Sequence, residues 1–203
     1  MHLKSYSEHR SQTAIPAINL IVRPDQANFH LSVSVETDSA TVALPLLRRA
    51  AQRLEELLTP QGAKLEVTDL ALPQESGKLS NSPLLLHGTL ILPLGTDLTF
   101  WERAQKLAQI DDLLRALVSE GKKQKPAIEL RRDLPVFVVA VPEHHREALV
   151  KRLHERARSL AGSTKSVLLK QLQVDRPVVQ RPLGLESVEL SLPVDGVGEV
   201  LIS

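Results

Sequence analysis

The run "FHLSVSVE" places Phe29, Leu31, Val33 and Val35 in alternation with His30, Ser32, Ser34 and Glu36. A period of two puts four apolar side chains on one face of an extended strand and four polar ones on the other. Such a strand buries one side and wets the other, so the chain must supply apolar cover for a single face. The preceding "AINLIVRPDQAN" adds a second apolar run, and Pro24 and Asp25 suit the centre of a turn. A β-hairpin or a sharp strand break is therefore expected there.

Cover is available from three amphipathic helices. Over Thr41–Leu58, Leu44, Leu47, Ala51, Leu54 and Leu58 recur at spacings of three and four and form one stripe. Pro45 is expected in the first turn, where its missing N–H costs least. Arg48, Arg49, Arg53, Glu55 and Glu56 lie off the stripe and read as a solvated face. The clearest helix is "TDLTFWERAQKLAQIDDLLRALVSEGKKQK". Thr99 and Glu102 have the spacing of a capping box, and Gly121 marks the stop. Phe100, Ala104, Leu107, Leu114, Leu117 and Val118 mark its expected buried side, with Phe100 or Trp101 packing inward. Asp111 and Asp112 point about 100° apart on a helix and make a poor catalytic pair.

Between and after these helices lie further strands. "GAKLEVTDLALP" ends at Pro73, "LLLHGTLILPL" is strongly apolar, and "PAIELRRDLPVFVVAVP" reads as one long or two short strands broken at Arg131–Asp133. His87 is expected to be a hydrogen-bonded sheet histidine. "STKSVLLKQLQVDRP" reads as a strand, and the C-terminal β structure carries an Asp195-Gly196 turn signal. Strands outnumber helices without alternating one for one. The expected class is α+β, with a largely antiparallel sheet or sheets and about three amphipathic helices packed on them. Residues 1–16 read as a flexible segment and 17–203 as a single domain. The polar loop "QESGKLSNSP", 74–83, is the place where two subdomains would meet.

Composition narrows the function classes. The formal net charge is +1, from 25 basic and 24 acidic residues, so no long-range field draws in nucleic acid or an anionic membrane. The aromatics are Tyr6, Phe29, Phe100, Trp101 and Phe137, too scattered for a base-stacking platform. With no cysteine, disulfides, thiolate nucleophiles and iron–sulfur clusters are excluded. No run is long enough to span a membrane as a helix, and no signal peptide is visible. The chain is expected to be cytoplasmic if Met1 is the true start, and periplasmic if it is a trimmed piece. No G-x-G-x-x-G, P-loop or G-x-S-x-G motif is present, and "GVGEV" has no following helix to cradle phosphate.

The stretch "PEHHREALVKRLHERARSL", Pro142–Leu160, holds three of the seven histidines. At about 100° per residue, Leu149, Val150, Leu153, Ala157, Leu160 and Ala161 form the buried arc, and His144, His145 and His154 fan over the rest. Glu147 and His154 share an angle but lie about 10 Å apart along the axis, too far to ligate one ion. Only His144 and Glu147 fall within reach of each other. Arg146, Lys151, Arg152, Arg156 and Arg158 surround the histidines and repel a cation. No metal, cofactor or catalytic residue is assigned. Those five basic residues are the candidate contact surface for an acidic partner.

"VRPDQANFHLSVSVE", a helix, and then "GAKLEVTDLALP" resemble the start of the SIMPL (DUF541) family. Pro24, Asp25 and Ala27 match its turn, and Gly62 its glycine after the helix. "RPLGLESVELSLPVDGVGEVLIS" is similar to its closing segment, so the resemblance runs from Ile18 to Ile202. It implies an α+β fold, oligomerisation and links to the cell envelope or stress signalling, with no catalytic residues to carry over. The leading expectation is a non-enzymatic, oligomer-forming interaction or structural protein. A hydrolase or metal-dependent enzyme built from His30, His87, His144 and Asp133 is a second expectation. A nucleic-acid binder using Lys122, Lys123, Lys125, Arg131 and Arg132 is a third.

Overall fold

The computed structural model describes residues 12–14, 18–35, 37, 39–71, 84–161, 165–173 and 176–202. Among them are eleven strands, three α-helices and two short 3-10 turns. The pairings of β1 with β11, β11 with β8, β2 with β10, and β3 and β4 with their neighbours are antiparallel, and the helices pack on the sheets, so the α+β class holds. The chain divides into two compact units: residues 1–22, 139–183 and 187–203 in the first, and 23–138 with 184–186 in the second. Residues 74–83 lie outside the described ones and within the span of the second unit. None of the described helices is long and apolar enough to cross a membrane.

In the first unit, β1 (Gln12–Ala14), β11 (Asp195–Ile202) and β8 (Lys165–Gln173) form one sheet in the order β1-β11-β8. A strand at 12–14 thus stands within the segment read as flexible, because β11 offers it an edge to pair with. The rest of 1–16 lies outside the described residues. A second sheet has the order β2-β10-β9, from β2 (Ile18–Val22), β10 (Ser187–Leu192) and β9 (Val179–Gly184). On it lies α3 (Arg146–Ala161), which buries Leu149, Leu153 and Ala157. Leu149 and Leu153 join Ile18, Val188, Leu190 and Leu192 in one apolar cluster. The Asp195-Gly196 signal does not make a turn. Those residues open β11, where a register shift between Asp195 and Val197 sets two residues of β8, Gln171 and Leu172, opposite Gly196.

In the second unit, β3 (Gln26–Val35) is the central strand. It pairs along its whole length with β5 (Leu84–Pro93) on one side, and with β6 (Ile128–Arg132) and then β7 (Val136–Val138) on the other. The stretch around Arg131–Asp133 is therefore two short strands. β4 (Lys64–Ala71) closes the other edge, next to β5. The alternation in the sequence is realised: Ala27, Phe29, Leu31, Val33 and Val35 are all buried. Under α1 (Ala40–Leu58) and α2 (Phe100–Gly121), these side chains join Leu47, Leu54, Ile110 and Leu114 in one core. Residues 23–25 make a strand break and not a hairpin, since β2 pairs with β10 and β3 with β5.

Three local expectations change. Helix α1 starts at Ala40, so Pro45 is its sixth residue and lies inside the helix. The N–H it lacks would have bonded to the carbonyl of Thr41, an exposed residue that water can reach. Leu44 is exposed and Ala43 is buried instead. In α2 the buried stripe is centred on Arg103, Ile110, Leu114 and Gly121, and both Phe100 and Trp101 stay in solvent.

Two local devices end and begin the helices as the sequence indicates. Gly62, with φ of 74°, takes the left-handed conformation that closes the turn after α1. At α2, the Thr99 hydroxyl accepts from the Glu102 N–H at 3.3 Å, and the Glu102 carboxylate accepts from the Thr99 N–H at 2.7 Å. The Thr99 hydroxyl and then its backbone N–H, both bonded to Glu102, hold its carboxyl below the ordinary glutamate range. A lowered carboxyl pKa adds stability above the unfolded value of about 4.3, and this is lost as pH falls through the folded value. Glu102→Gln should therefore flatten the acid limb of a stability–pH curve below about pH 5, measured by urea unfolding. An unchanged limb would show the box to be idle. Gly121 is a packing requirement, because a Cβ there would stand 2.4 Å from the Ile128 carbonyl oxygen. Gly121→Ala is expected to cost about 1–3 kcal/mol by overpacking, read from denaturant midpoints.

Candidate functional site

A groove of about 320 Å³ opens in the second unit between α1 and α2. Its walls follow helical periodicity: Leu46, Arg49, Ala50, Arg53 and Leu54 from α1, and Leu117, Glu120, Gly121 and Gln124 from α2 and its end. Val33 and Leu130, cross-strand partners on β3 and β6, form the floor with Ile128. Arg49 and Arg53, off the apolar stripe of α1, are exposed as expected, but they stand on the rim of this groove. A spacing of three and four by itself separates inside from outside. It does not show that two helices part at one end.

Arg103 is the other feature that periodicity hides. Its side chain has no exposed surface. Nε and Nη2 donate to the Gly95 carbonyl at 3.2 and 2.8 Å, and Nη1 donates to the Leu185 carbonyl at 3.2 Å. Glu186 lies 3.8 Å from Nη1 and is also held by Arg23 at 2.7 Å, while Arg23 donates to the Thr96 carbonyl. Burial, and then the neighbouring Arg23 charge, depress the Arg103 pKa. An arginine nevertheless stays charged. The cluster fixes the 95–99 turn and the start of α2 to residues 184–186.

The dispersed enzyme set does not assemble within either unit. His30, His87 and Asp133 belong to the second unit and His144 to the first. His30 and His87 do share the outer face of the five-stranded sheet, in adjacent rows, and the Asp133 N–H donates to the His30 carbonyl. In one row, Asp69, His87 and Ser32 stand on three neighbouring strands. That row resembles a Ser-His-Asp set in residue type alone. The Asp69 carboxylate accepts from the Leu70 N–H at 2.7 Å, and among the described residues no hydrogen bond links His87 to either neighbour. The His30 ring meets Thr89 at 3.3 Å. Among the described residues, no group of three or more histidines and carboxylates is arranged to hold a metal.

Two of the five residues of the expected nucleic-acid patch are paired with carboxylates. Arg131 is forked onto Glu129 at 3.0 and 3.1 Å, and Arg132 pairs with Asp111, which also holds Arg115. Lys122, Lys123 and Lys125 remain exposed just past α2.

The histidine stretch also differs from a continuous helix. Pro142–His145 is a 3-10 turn, with Pro142 at its start, and α3 begins only at Arg146. The tighter turn rotates His144 away from the angle that α-helical periodicity assigns it. His144, Glu147, Lys151, His154 and Arg158, spaced alternately by three and four residues, line one shallow hollow of about 610 Å³. Of the five basic contact candidates, two are structural. Arg146 pairs with Glu143 at 2.6 Å and donates to the Arg176 carbonyl, and Arg152 donates to the Asn19 carbonyl at 2.9 Å. Lys151, Arg156 and Arg158 are exposed. Glu143 also accepts from the Val178 N–H at 2.8 Å, and it is held below the ordinary glutamate range by Arg146 first and by that N–H second.

No family model matches the chain, and no curated protein matches it significantly. Among solved structures it is similar to an amidase of the hydantoinase/carbamoylase family from Burkholderia phymatum, with 14% identity and a TM-score of 0.37. The likeness covers 65% of this chain and 35% of that one, so this chain spans far less than two thirds of that protein.

Arg103→Met would keep the volume and leave the Gly95 and Leu185 carbonyls without their donor. A loss of about 2–4 kcal/mol is expected, read from urea unfolding. A change within about 0.5 kcal/mol, the ordinary range for surface positions, would show that the cluster does not hold the unit together.

Proposed function

We propose that this chain is a non-enzymatic interaction protein that associates with copies of itself through the N-terminal end of α2. The observation that carries the reading is the exposed pair Phe100 and Trp101. Two of the chain's five aromatics stand in water, 45% and 77% exposed, with ring centroids 5.1 Å apart in an edge-on arrangement. The capping box fixes the helix end that presents them. Burying each ring is worth roughly 2–3 kcal/mol, and tryptophan is the residue most often found as an interface anchor. The net charge of +1 leaves little self-repulsion to oppose contact between copies.

The resemblance to the SIMPL family leads to the same expectation of oligomers, and it alone suggests an envelope- or stress-related setting. The exposed Lys151 and Arg158, seven residues apart on one face of α3, and Arg156 on another, are suited to contact with an acidic protein partner. Light scattering across a wide concentration range is the test. The mass should rise with concentration, and Trp101→Ser should shift the midpoint upward by at least tenfold. A wild-type chain that stays monomeric throughout would overturn the reading.

A further inference from the structure

We infer that the α1–α2 groove of the second unit binds a small amphipathic anion, an apolar chain or ring of about ten heavy atoms ending in a carboxylate. This inference does not rest on the self-association proposed above. Size sets the first limit. The groove holds about 320 Å³, at the lower end of small-molecule sites, which begin near 300 Å³. At about 30 Å³ per water-sized group, it has room for on the order of ten heavy atoms. A short ligand of that size fits within it.

Chemistry sets the second limit. Leu46, Ala50 and Leu117 line the walls, above the floor made by Val33 and Leu130. Water in such a groove gains little, and an apolar tail that displaces it is favoured. The charge lies on one rim. Arg49 and Arg53 are four residues apart on α1, neighbours of like sign that destabilise each other. Arg53 has only a distant exposed partner, Glu56 at 3.6 Å, and no hydrogen bond or ion pair is formed by Arg49 among the described residues. A carboxylate between the two guanidiniums relieves that repulsion and accepts their forked donors.

The opposite rim fixes the orientation. Glu120 projects there from the last turn of α2, whose C-terminal end carries the negative side of the helix dipole. An anionic head is repelled from α2 and is held on the α1 side. A cationic amphiphile would sit the other way round, against one carboxylate, with two arginines opposing it. An anion is therefore the better occupant.

The probes are octanoate, octanol and octylammonium, each below its aggregation concentration, added to the isotopically labelled full chain. Backbone amide shifts and titration calorimetry are the readouts. Octanoate should perturb the amides of Ala50, Leu117 and Gly121, and should bind at least tenfold more tightly than octanol or octylammonium. The double variant Arg49→Ala, Arg53→Ala changes two exposed residues and should fold normally. It should weaken octanoate at least tenfold and leave octanol unaffected. Ala50→Phe, which fills the groove, should abolish both. The inference is overturned if octanol or octylammonium binds as tightly as octanoate, if the double variant binds octanoate unchanged, or if shifts occur only outside the groove. It is equally overturned if the same amides shift with protein concentration alone, since a second copy would then occupy the groove.

Discussion

A guanidinium sealed from water has to be surrounded by acceptors, because an unpaired buried charge costs several kcal/mol. Arg103 meets that demand with the Gly95 and Leu185 carbonyls and with Glu186 nearby. The consequence is positional. Once the first turn of α2 is fixed by Arg103, the stripe that follows lies on the sheet through Ile110 and Leu114, and the helix reaches β6 at Gly121. Where α2 runs against the sheet and where it parts from α1 both follow from this anchoring. The apolar core could be built with another residue at that position, but the turn around Gly95 would lose its donor.

Much of the second unit was legible because its signals are local. The alternation from Phe29 to Val35 is a property of a single strand, and the central strand of the sheet carries it faithfully. The capping box needs only two residues three apart, and it forms. The break expected at Arg131–Asp133 falls at 133–135, and it separates two real strands. What failed depended on partners distant in sequence. A charge counts as polar in any periodicity, so the expected stripe of α2, which holds at Leu107, Leu114, Leu117 and Val118, began on the exposed Phe100 and missed the buried Arg103. Whether residues 23–25 form a hairpin was undecidable from their own turn chemistry. It is settled by β10 and β5, some 160 and 60 residues away.

The candidate site was less legible than the fold. Arg49 and Arg53 look solvated because they are solvated, and sequence shows no difference between open water and the rim of a groove. On α3 the distortion was of another kind. The pattern of leucines identified the buried face, but Pro142 begins a 3-10 turn and α3 starts only at Arg146; the spacing of His144, Glu147 and His154 already sets them around one hollow. Reading Arg146 and Arg152 as free cations missed the backbone carbonyls of Arg176 and Asn19, which claim them. Long basic side chains often end on carbonyls that no local pattern reveals.

The chain contains a single tryptophan, and in the folded state that tryptophan already stands mostly in water. Its indole therefore has nearly the same surroundings before and after the chain unfolds. Intrinsic tryptophan emission is accordingly a poor witness to the loss of the core and a sensitive one to anything that covers the first turn of α2. The protein carries its own optical label at the surface, placed there by the capping box that holds the helix end in position.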